Sequence, residues 1–330
     1  MTQLSIVGSR QERISDPLFS EFALPLRRRF FPFGFPLDLE TNSFEVIEAA
    51  AGCWSDPSAR FDDGPVRISL GVLPGEEALP PRSTFRSRDH LLSLIATPSN
   101  FVVCDFHQNC AFGWVSESVA RNHPVLRYRF LTSTSNMLLG HLALAPVHGA
   151  LVARNGRGVL LAGCSFAGKS TLSYACARVG WTYISDDGTM LVRKQVGRYG
   201  VGDRRVIHLR EDAPALFPEL AGRLSIARPN GKAGLEVFTR DLPIATAPGC
   251  DIDHVVFLNR NEPGPARLRM YPPDIARAWL EEVISFGTEQ ARNAQRQSFE
   301  RLMSAGIWEL CYTDLDGAIR RLERLVDAGS

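Results

Sequence analysis

A glycine-bounded segment of the chain carries the residue types that bind phosphate. Residues 163–170 read GCSFAGKS and fit the pattern G-x-x-x-x-G-K-[ST]. The glycines let the backbone approach an anion closely, and successive N–H groups then point at its oxygens. Lys169 would reach the β- and γ-phosphates of a nucleotide, and the Ser170 hydroxyl would bind Mg²⁺. The segment therefore predicts a phosphate-binding loop.

The surroundings of the loop also fit nucleotide binding. An apolar run, VLLAG, precedes the loop, and the segment KSTLSYACAR follows it with helical periodicity. The positive end of that helix would favour an anion. A strand-to-helix turn without a ligand is the alternative. We expect ATP or another nucleoside triphosphate, with Mg²⁺, and the residues predicted to hold it are Gly163, Cys164, Ser165, Phe166, Ala167, Gly168, Lys169, Ser170 and Thr171.

Two adjacent carboxylates follow the next predicted strand. The segment WTYIS ends at Asp186 and Asp187, a single helix after the loop. Successive side chains of a strand point to opposite sides, so one carboxylate would face the nucleotide metal and the other an incoming acceptor. Phosphoryl transfer to a hydroxyl needs a held metal and a proton-accepting base. The alternative is a surface turn, because Asp-Gly at 187–188 is a common turn pair.

One histidine precedes the loop on an apolar strand. His148 lies in PVHGALVAR, and Asn155-Gly156 then joins that strand to GVLLAG as a predicted hairpin. If the two strands pair, His148 lies near the loop. By spacing alone it is either a structural residue or part of the site.

Composition narrows the class of protein. The chain has 330 residues, 45% of them hydrophobic, and a net charge of +1, so we expect two domains and neither nucleic acid nor a membrane as partner. The seven cysteines contain no Cys-x-x-Cys pair, and free thiols in a reducing cytoplasm are expected. We find no long apolar leader in the first residues and no apolar run long enough to span a bilayer.

The order of predicted elements divides the chain near residue 144. Residues 1–144 read as strand, helix, several strands and helix, which predicts an α+β domain with a possible role in acceptor recognition. Its basic run LRRRFF, at 26–31, would contact a partner or form a solvated turn. Residues 145–330 predict an α/β domain with a mixed sheet flanked by helices, including a strand and a short helix in RVIHLREDAPALFPEL.

The residues from Pro146 to Asp187 resemble the catalytic domain of HPr kinase/phosphorylase and the HPr-kinase-related proteins. That family joins an HG strand to a G-x-S-G-x-G-K-S loop, a helix and a strand ending in Asp-Asp, and the spacing here is similar. The resemblance implies that Asp186 is the acid/base for the acceptor hydroxyl, that Asp187 assists the metal, and that His148 sits beside Asp186. It also implies a homo-oligomer, because the catalytic domains of that family assemble as hexamers.

Two features depart from the family pattern. Phe166 stands where the family has its third loop glycine, and the family's E-x-R-G signature is absent from RRVIHLREDA. Arg205, Arg210 and Glu211 are the charged residues near that place. The acceptor and the reversibility of the reaction therefore stay open.

Three functional hypotheses follow. The leading one is an ATP-dependent kinase of Ser or Thr in a protein or peptide, in which Asp186 takes the proton and Lys169 stabilises the transferring charge. An arginine would complete the site, and the candidates are Arg205, Arg210 and Arg228, the last in RPNGK, a segment that would close over the acceptor or form an ordinary turn. The alternatives are a kinase of a small hydroxylated molecule and a nucleotide-binding switch with weak ATPase activity.

Overall fold

A computed structural model gives the fold of the chain. It describes residues 5–6, 23–54, 56–80, 82–195, 197–227, 233–260, 262–282, 284 and 287–328. The chain divides into two compact units, the first built mainly from residues up to Leu142 and the second mainly from Ala143 onward. Residues 287–291 group with the first unit. The expected RPNGK segment, with Arg228, lies outside the described residues.

The first unit is built on one mixed sheet. Over the described residues its order is β1-β2-β3-β4-β8-β7-β6-β5. Pairing is parallel between β3 and β4 and between β4 and β8, and antiparallel elsewhere. The strands are β1 (Ser5–Ile6), β2 (Leu26–Phe30), β3 (Leu37–Thr41), β4 (Val66–Leu73), β5 (Thr84–Arg88), β6 (Leu91–Thr97), β7 (Asn100–Asp105) and β8 (Cys110–Ser116).

Helices complete this unit. They are α1 (Phe44–Cys53), α2 (Glu117–Arg121), α3 (His123–Val125) and α4 (Ser133–Leu142), with a π-helical stretch, Leu126–Thr132, between the last two. Helix α1 buries Val46, Ile47 and Ala50 at the spacing of one helical face. Ser43 occupies its N-cap position, although its side chain makes no capping hydrogen bond.

The basic run of the first unit is a strand rather than a turn. Residues 26–30 form β2, and register pairing with β3 sets Arg27 opposite Glu40 and Arg29 opposite Asp38. Both pairs form ion pairs across the two strands, with N–O distances of 3.1 and 2.6 Å. Opposite charges at directly facing positions stabilise a sheet, and this explains why the arginines and acids recur together.

The second unit contains a mixed sheet whose strands partly close on themselves. Its order is β10-β9-β12-β13-β17-β19-β18, and β10 also pairs with β17, so five of the described strands form a closed ring. Strand β11 pairs with β9. The strands of this sheet are β9 (Leu144–Arg154), β10 (Arg157–Ala162), β11 (Thr182–Ser185), β12 (Gly188–Val192), β13 (Tyr199–Gly202), β17 (Gly249–Asn259), β18 (Arg267–Met270) and β19 (Gly306–Cys311).

A smaller sheet lies between β13 and β17 in the sequence. It consists of β14 (Val206–Leu209), β15 (Ile226–Ala227) and β16 (Ala233–Phe238), in the order β14-β16-β15. The short helix expected after β14 takes the form of two 3₁₀ turns, Ala213–Ala215 and Pro218–Leu220. Prolines at the first or second position of both turns fit so short a helix.

Helices cover both faces of the larger sheet. Residues Val159 and Leu161 of β10 belong to a core that includes residues of α5 (Lys169–Arg178) and α8 (Leu315–Asp327). The alternate residues Leu160 and Ala162 belong to a second core with residues of α6 (Pro273–Glu281) and α7 (Glu289–Leu302). Burial on both faces explains why β10 is continuously apolar. The expected α/β class, with a mixed sheet flanked by helices, is confirmed.

The hairpin before the phosphate loop forms as the sequence predicts. Strands β9 and β10 are antiparallel, and Arg154 and Arg157 form the pair next to the turn. Asn155 and Gly156 have φ values of 52° and 79°, the left-handed conformation that a two-residue hairpin turn requires. Within the part of the chain described here, no helix has the length and apolar character needed to cross a membrane.

Candidate nucleotide-binding and phosphotransfer site

The glycine-bounded loop connects β10 to α5. Gly163 and Gly168 have φ values of 140° and 97°, which a residue with a side chain rarely adopts. A Cβ atom on Gly168 would lie 2.8 Å from the hydroxyl of Tyr312, so close packing also restricts this position to glycine. Leu172 N–H donates to Gly168 C=O as the first helical hydrogen bond. The N–H groups of the preceding turn have no partner within the helix and lie where an anion binds.

Lys169 lies within this loop and is only 6% exposed. Its ammonium donates to the carbonyl oxygens of Gly163 at 2.8 Å and Cys164 at 3.1 Å. It also lies 3.0 Å from His148 Nε2. An ammonium only donates, so Nε2 is the acceptor and the ring hydrogen sits on Nδ1. The loop therefore carries a positive charge at its centre.

Asp186 follows β11 and is buried, 5% exposed. Its Oδ2 accepts the main-chain N–H of His208, and the same oxygen lies 3.4 Å from His208 Nδ1. The Ser170 hydroxyl donates to the main-chain carbonyl of Asp186 at 3.3 Å. Asp186 is thus bound to the phosphate loop on one side and to β14 on the other. These contacts exclude a purely exposed turn at this position.

Asp187 has the opposite environment. Its side chain is 65% exposed, and its Oδ1 lies 3.4 Å from His148 Nδ1. The Asp187 carboxylate therefore lies beside His148, and the place of His148 beside Asp186 that the resemblance implies stays a prediction. The register explains the Asp187 contact, because Gly188 pairs with His148 across β12 and β9 and brings the residue before it alongside the imidazole.

A buried tyrosine lies close to Asp186. Tyr183 is buried on β11, and its hydroxyl donates to the carbonyl of Val206 at 2.9 Å. Burial raises the pKa of Tyr183 well above its ordinary value, and the neighbouring Asp186 carboxylate adds to this rise. The phenol therefore stays neutral and acts as a hydrogen-bond donor.

The candidate arginines differ in their surroundings. Arg205 binds Asp203 through two hydrogen bonds, Nε at 2.8 Å and Nη2 at 2.7 Å. The Arg210 guanidinium lies 5.2 Å from the ring centroid of Phe166 in the phosphate loop. The structure therefore brings Arg210 to the loop and engages Arg205 in an ion pair of its own.

Three further residues lie near the phosphate loop or Asp186, although no sequence motif predicted them there. His208 lies on β14 between Ile207 and Leu209, which are both buried. The alternation of apolar and polar residues along this strand is the sequence signal that could have identified it. The Tyr312 hydroxyl donates to the Ala167 carbonyl at 3.4 Å. Arg260 directly follows β17, which runs parallel to β10. Its guanidinium carbon lies 5.9 Å from the centroid of the Tyr312 ring. Parallel neighbours bring their carboxyl ends to one edge, which explains this arrangement.

The residues present fit a magnesium–nucleotide complex. The loop offers a buried ammonium and the N–H groups that begin α5, and Ser170 and Asp187 offer a hydroxyl and an exposed carboxylate. Mg²⁺ is commonly held by one or two carboxylates together with substrate phosphates rather than by a closed protein cage.

Comparison with known proteins gives limited matches. A family model described as SynChlorMet cassette protein ScmC matches residues 134–203, a range that includes the loop and both aspartates. No curated protein matches the chain significantly. The solved HPr(Ser) kinase/phosphatase from Coxiella burnetii is similar over 56% of this chain and 99% of its own, with 16% identity and a TM-score of 0.30.

Proposed function

We propose that this chain is an ATP-dependent phosphotransferase that moves the γ-phosphate to a hydroxyl group of serine or threonine in a protein or peptide. The observation that carries the proposal is the carboxylate of Asp186, buried beside the phosphate loop and bound by His208. Hydrolysis alone would need only an oriented water, whereas transfer to a hydroxyl needs a base at this place.

The phosphate loop supplies binding and charge stabilisation. The N–H groups at the start of α5 hold the phosphate oxygens, and Lys169 counters the charge that develops during transfer. Ser170 and Asp187 would hold Mg²⁺. When bound, Mg-ATP supplies the transferable phosphoryl group and the charge of the metal.

Asp186 acts as the base. Its carboxylate accepts the hydroxyl proton while the acceptor oxygen bonds to the γ-phosphorus and the bond to the ADP oxygen breaks. The His208 N–H binds Oδ2 and so favours one orientation of the carboxylate. Burial keeps water from competing as the acceptor.

A polypeptide acceptor is supported by the surface that follows β14. Leu216 and Leu224 in this segment are large apolar side chains and are 53% and 85% exposed. Exposed apolar side chains in the segment after β14 offer contacts that suit a polypeptide better than a small polar molecule. The first unit, with its own sheet, is proposed to take part in recognising this acceptor.

The test is transfer of label from γ-labelled ATP with Mg²⁺, to the protein itself, to peptides containing Ser or Thr, and to lysate fractions. Label on a protein or peptide, lost in Asp186→Asn and retained in the exposed control Asp241→Asn, supports the proposal. Label on a small metabolite contradicts the acceptor class. Release of free phosphate alone, unchanged by Asp186→Asn, contradicts phosphotransfer altogether.

A further inference from the structure

Phe166 is an unusual residue for the middle of a phosphate loop. Its φ is 71°, a left-handed value that a bulky side chain adopts only at a cost of about 1 kcal/mol or more. Its ring is also 69% exposed, so the burial of apolar surface does not offset that cost. Something other than packing therefore accounts for an aromatic ring at this position.

The face of the ring is occupied by Arg210. The guanidinium carbon lies 5.2 Å from the ring centroid, within the range of a cation–π contact. The guanidinium also forms an ion pair with Asp212, at 3.9 Å between two exposed side chains, which contributes little. Phe166 thus holds an arginine against the loop.

The position of Arg210 indicates what it faces. It directly follows β14, and His208, two residues earlier, binds the Asp186 carboxylate. The His208 side chain also approaches this carboxylate, with Nδ1 3.4 Å from Oδ2, so the end of β14 contacts Asp186 and the phosphate loop within three residues. Lys169 marks the β- and γ-phosphate side of such a loop. Arg210 therefore brings a second positive charge to the loop that carries Lys169.

We infer that Phe166 and Arg210 form a site for the terminal phosphate of a nucleoside triphosphate, through which the loop distinguishes ATP from ADP. The inference rests on the nucleotide binding of the proposed function but not on transfer to an acceptor. The planar guanidinium binds two phosphate oxygens at once, and the Phe166 ring holds it in the orientation for doing so. ADP lacks the group that Arg210 binds.

The test compares equilibrium affinities for ATP and ADP, with Mg²⁺, by calorimetry. Arg210→Ala is expected to weaken ATP binding about tenfold or more and to leave ADP binding unchanged, since a hydrogen bond to a charged group contributes at least a factor of ten. Phe166→Leu is expected to weaken ATP binding by about two- to fivefold, the value of an exposed cation–π contact. Phe166→Tyr keeps the ring and the preference.

Two controls separate this role from folding and from general charge. Arg240→Ala removes another exposed arginine that stacks on a phenylalanine, Phe238, at 4.9 Å, at the opposite end of β14. It should leave the ratio of affinities unchanged. Phe166→Gly relieves the left-handed backbone and removes the ring, so it should fold at least as well as the natural chain yet reduce the ATP preference by about two- to fivefold.

Equal loss of ATP and ADP affinity in Arg210→Ala, or no ATP preference in the natural chain, overturns the inference. So does an ATP preference that Phe166→Gly and Phe166→Leu leave intact. Failure of phosphotransfer is a separate result. If no acceptor is labelled but Arg210→Ala abolishes the ATP preference, the terminal-phosphate site stands and the proposed transfer does not.

Discussion

The Asp186 carboxylate accepts the main-chain N–H of His208, a residue 22 positions further along the chain. This contact joins the strand after the phosphate loop to the separate small sheet that begins with β14. It holds the proposed base in one orientation and places Arg210 beside the loop at the same time. The proposed chemistry depends on this contact.

Asp186→Asn should abolish transfer without abolishing nucleotide binding. The amide oxygen still accepts the His208 N–H but has no useful basicity, so the rate constant should fall by about 10²-fold or more. ATP affinity should stay within about threefold of the natural value. Single-turnover transfer and calorimetry measure the two quantities.

Asp187→Asn serves as the matched control. Its carboxylate is exposed and proposed to assist Mg²⁺, so this variant should need more Mg²⁺ and regain transfer when Mg²⁺ is raised. If the two variants show the same Mg²⁺ dependence, the separate roles assigned to the aspartates are wrong.

His208→Pro should cost more stability than His208→Ala. Alanine keeps the N–H that Asp186 accepts, whereas proline removes it and leaves a buried carboxylate short of a donor. The difference in the free energy of unfolding between the two variants should be about 1–3 kcal/mol. Urea denaturation measures it. Equal stability of the two variants would show that the Asp186 carboxylate does not depend on this donor.

Gly168→Ala should destabilise the domain and weaken nucleotide binding. The new Cβ would lie 2.8 Å from the Tyr312 hydroxyl, and alanine would have to adopt the left-handed φ of 97°. Together these effects should lower the free energy of unfolding by about 1–3 kcal/mol. The double variant with Tyr312→Phe removes the contact and keeps the backbone strain. It should therefore recover only part of the loss, which a double-mutant cycle in urea would reveal. Full recovery would show that the backbone conformation costs nothing.

Stability should decline as the pH falls below about 6.5, the ordinary pKa of histidine. Burial lowers the pKa of His254, and Arg157 and Arg198 act in the same direction while Asp253 opposes them. The folded protein then binds fewer protons than the unfolded chain below pH 6.5, so the contribution is fully present above that pH and is lost as the pH falls through the folded pKa.

Melting temperatures between pH 5 and 8 test the role of His254. His254→Gln cannot be protonated and should show a flatter dependence than the natural chain. His107→Gln, a change at an exposed residue of the first unit, should keep the natural dependence. A natural slope in His254→Gln would assign the effect to another group.

Alkylation of Cys164 should report nucleotide binding directly. This thiol is exposed within the phosphate loop, whereas the other six cysteines are buried or partly exposed. Bound ATP with Mg²⁺ should slow its reaction with a maleimide, as measured by peptide mass spectrometry. Modification of the partly exposed Cys110, in the first unit, is the internal control. Unchanged reaction of Cys164 at saturating ATP would argue against nucleotide in the loop.

The features that the sequence determined by itself are local ones. The hairpin at Asn155-Gly156, the glycine-bounded loop and the helix after it depend on residues close together in the chain. Their conformations follow from glycine and asparagine geometry and from hydrophobic periodicity. The continuous apolar run of β10 also predicts helices on both faces of the sheet.

Only the tertiary structure decided which distant residues meet at the loop. Strand register set His148 against Asp187, and the small sheet brought His208 to Asp186 and Arg210 to Phe166. Sequence patterns report which face of an element is buried, but not which element covers it. Pairing between elements depends on packing summed over the whole core, and no short segment carries that information.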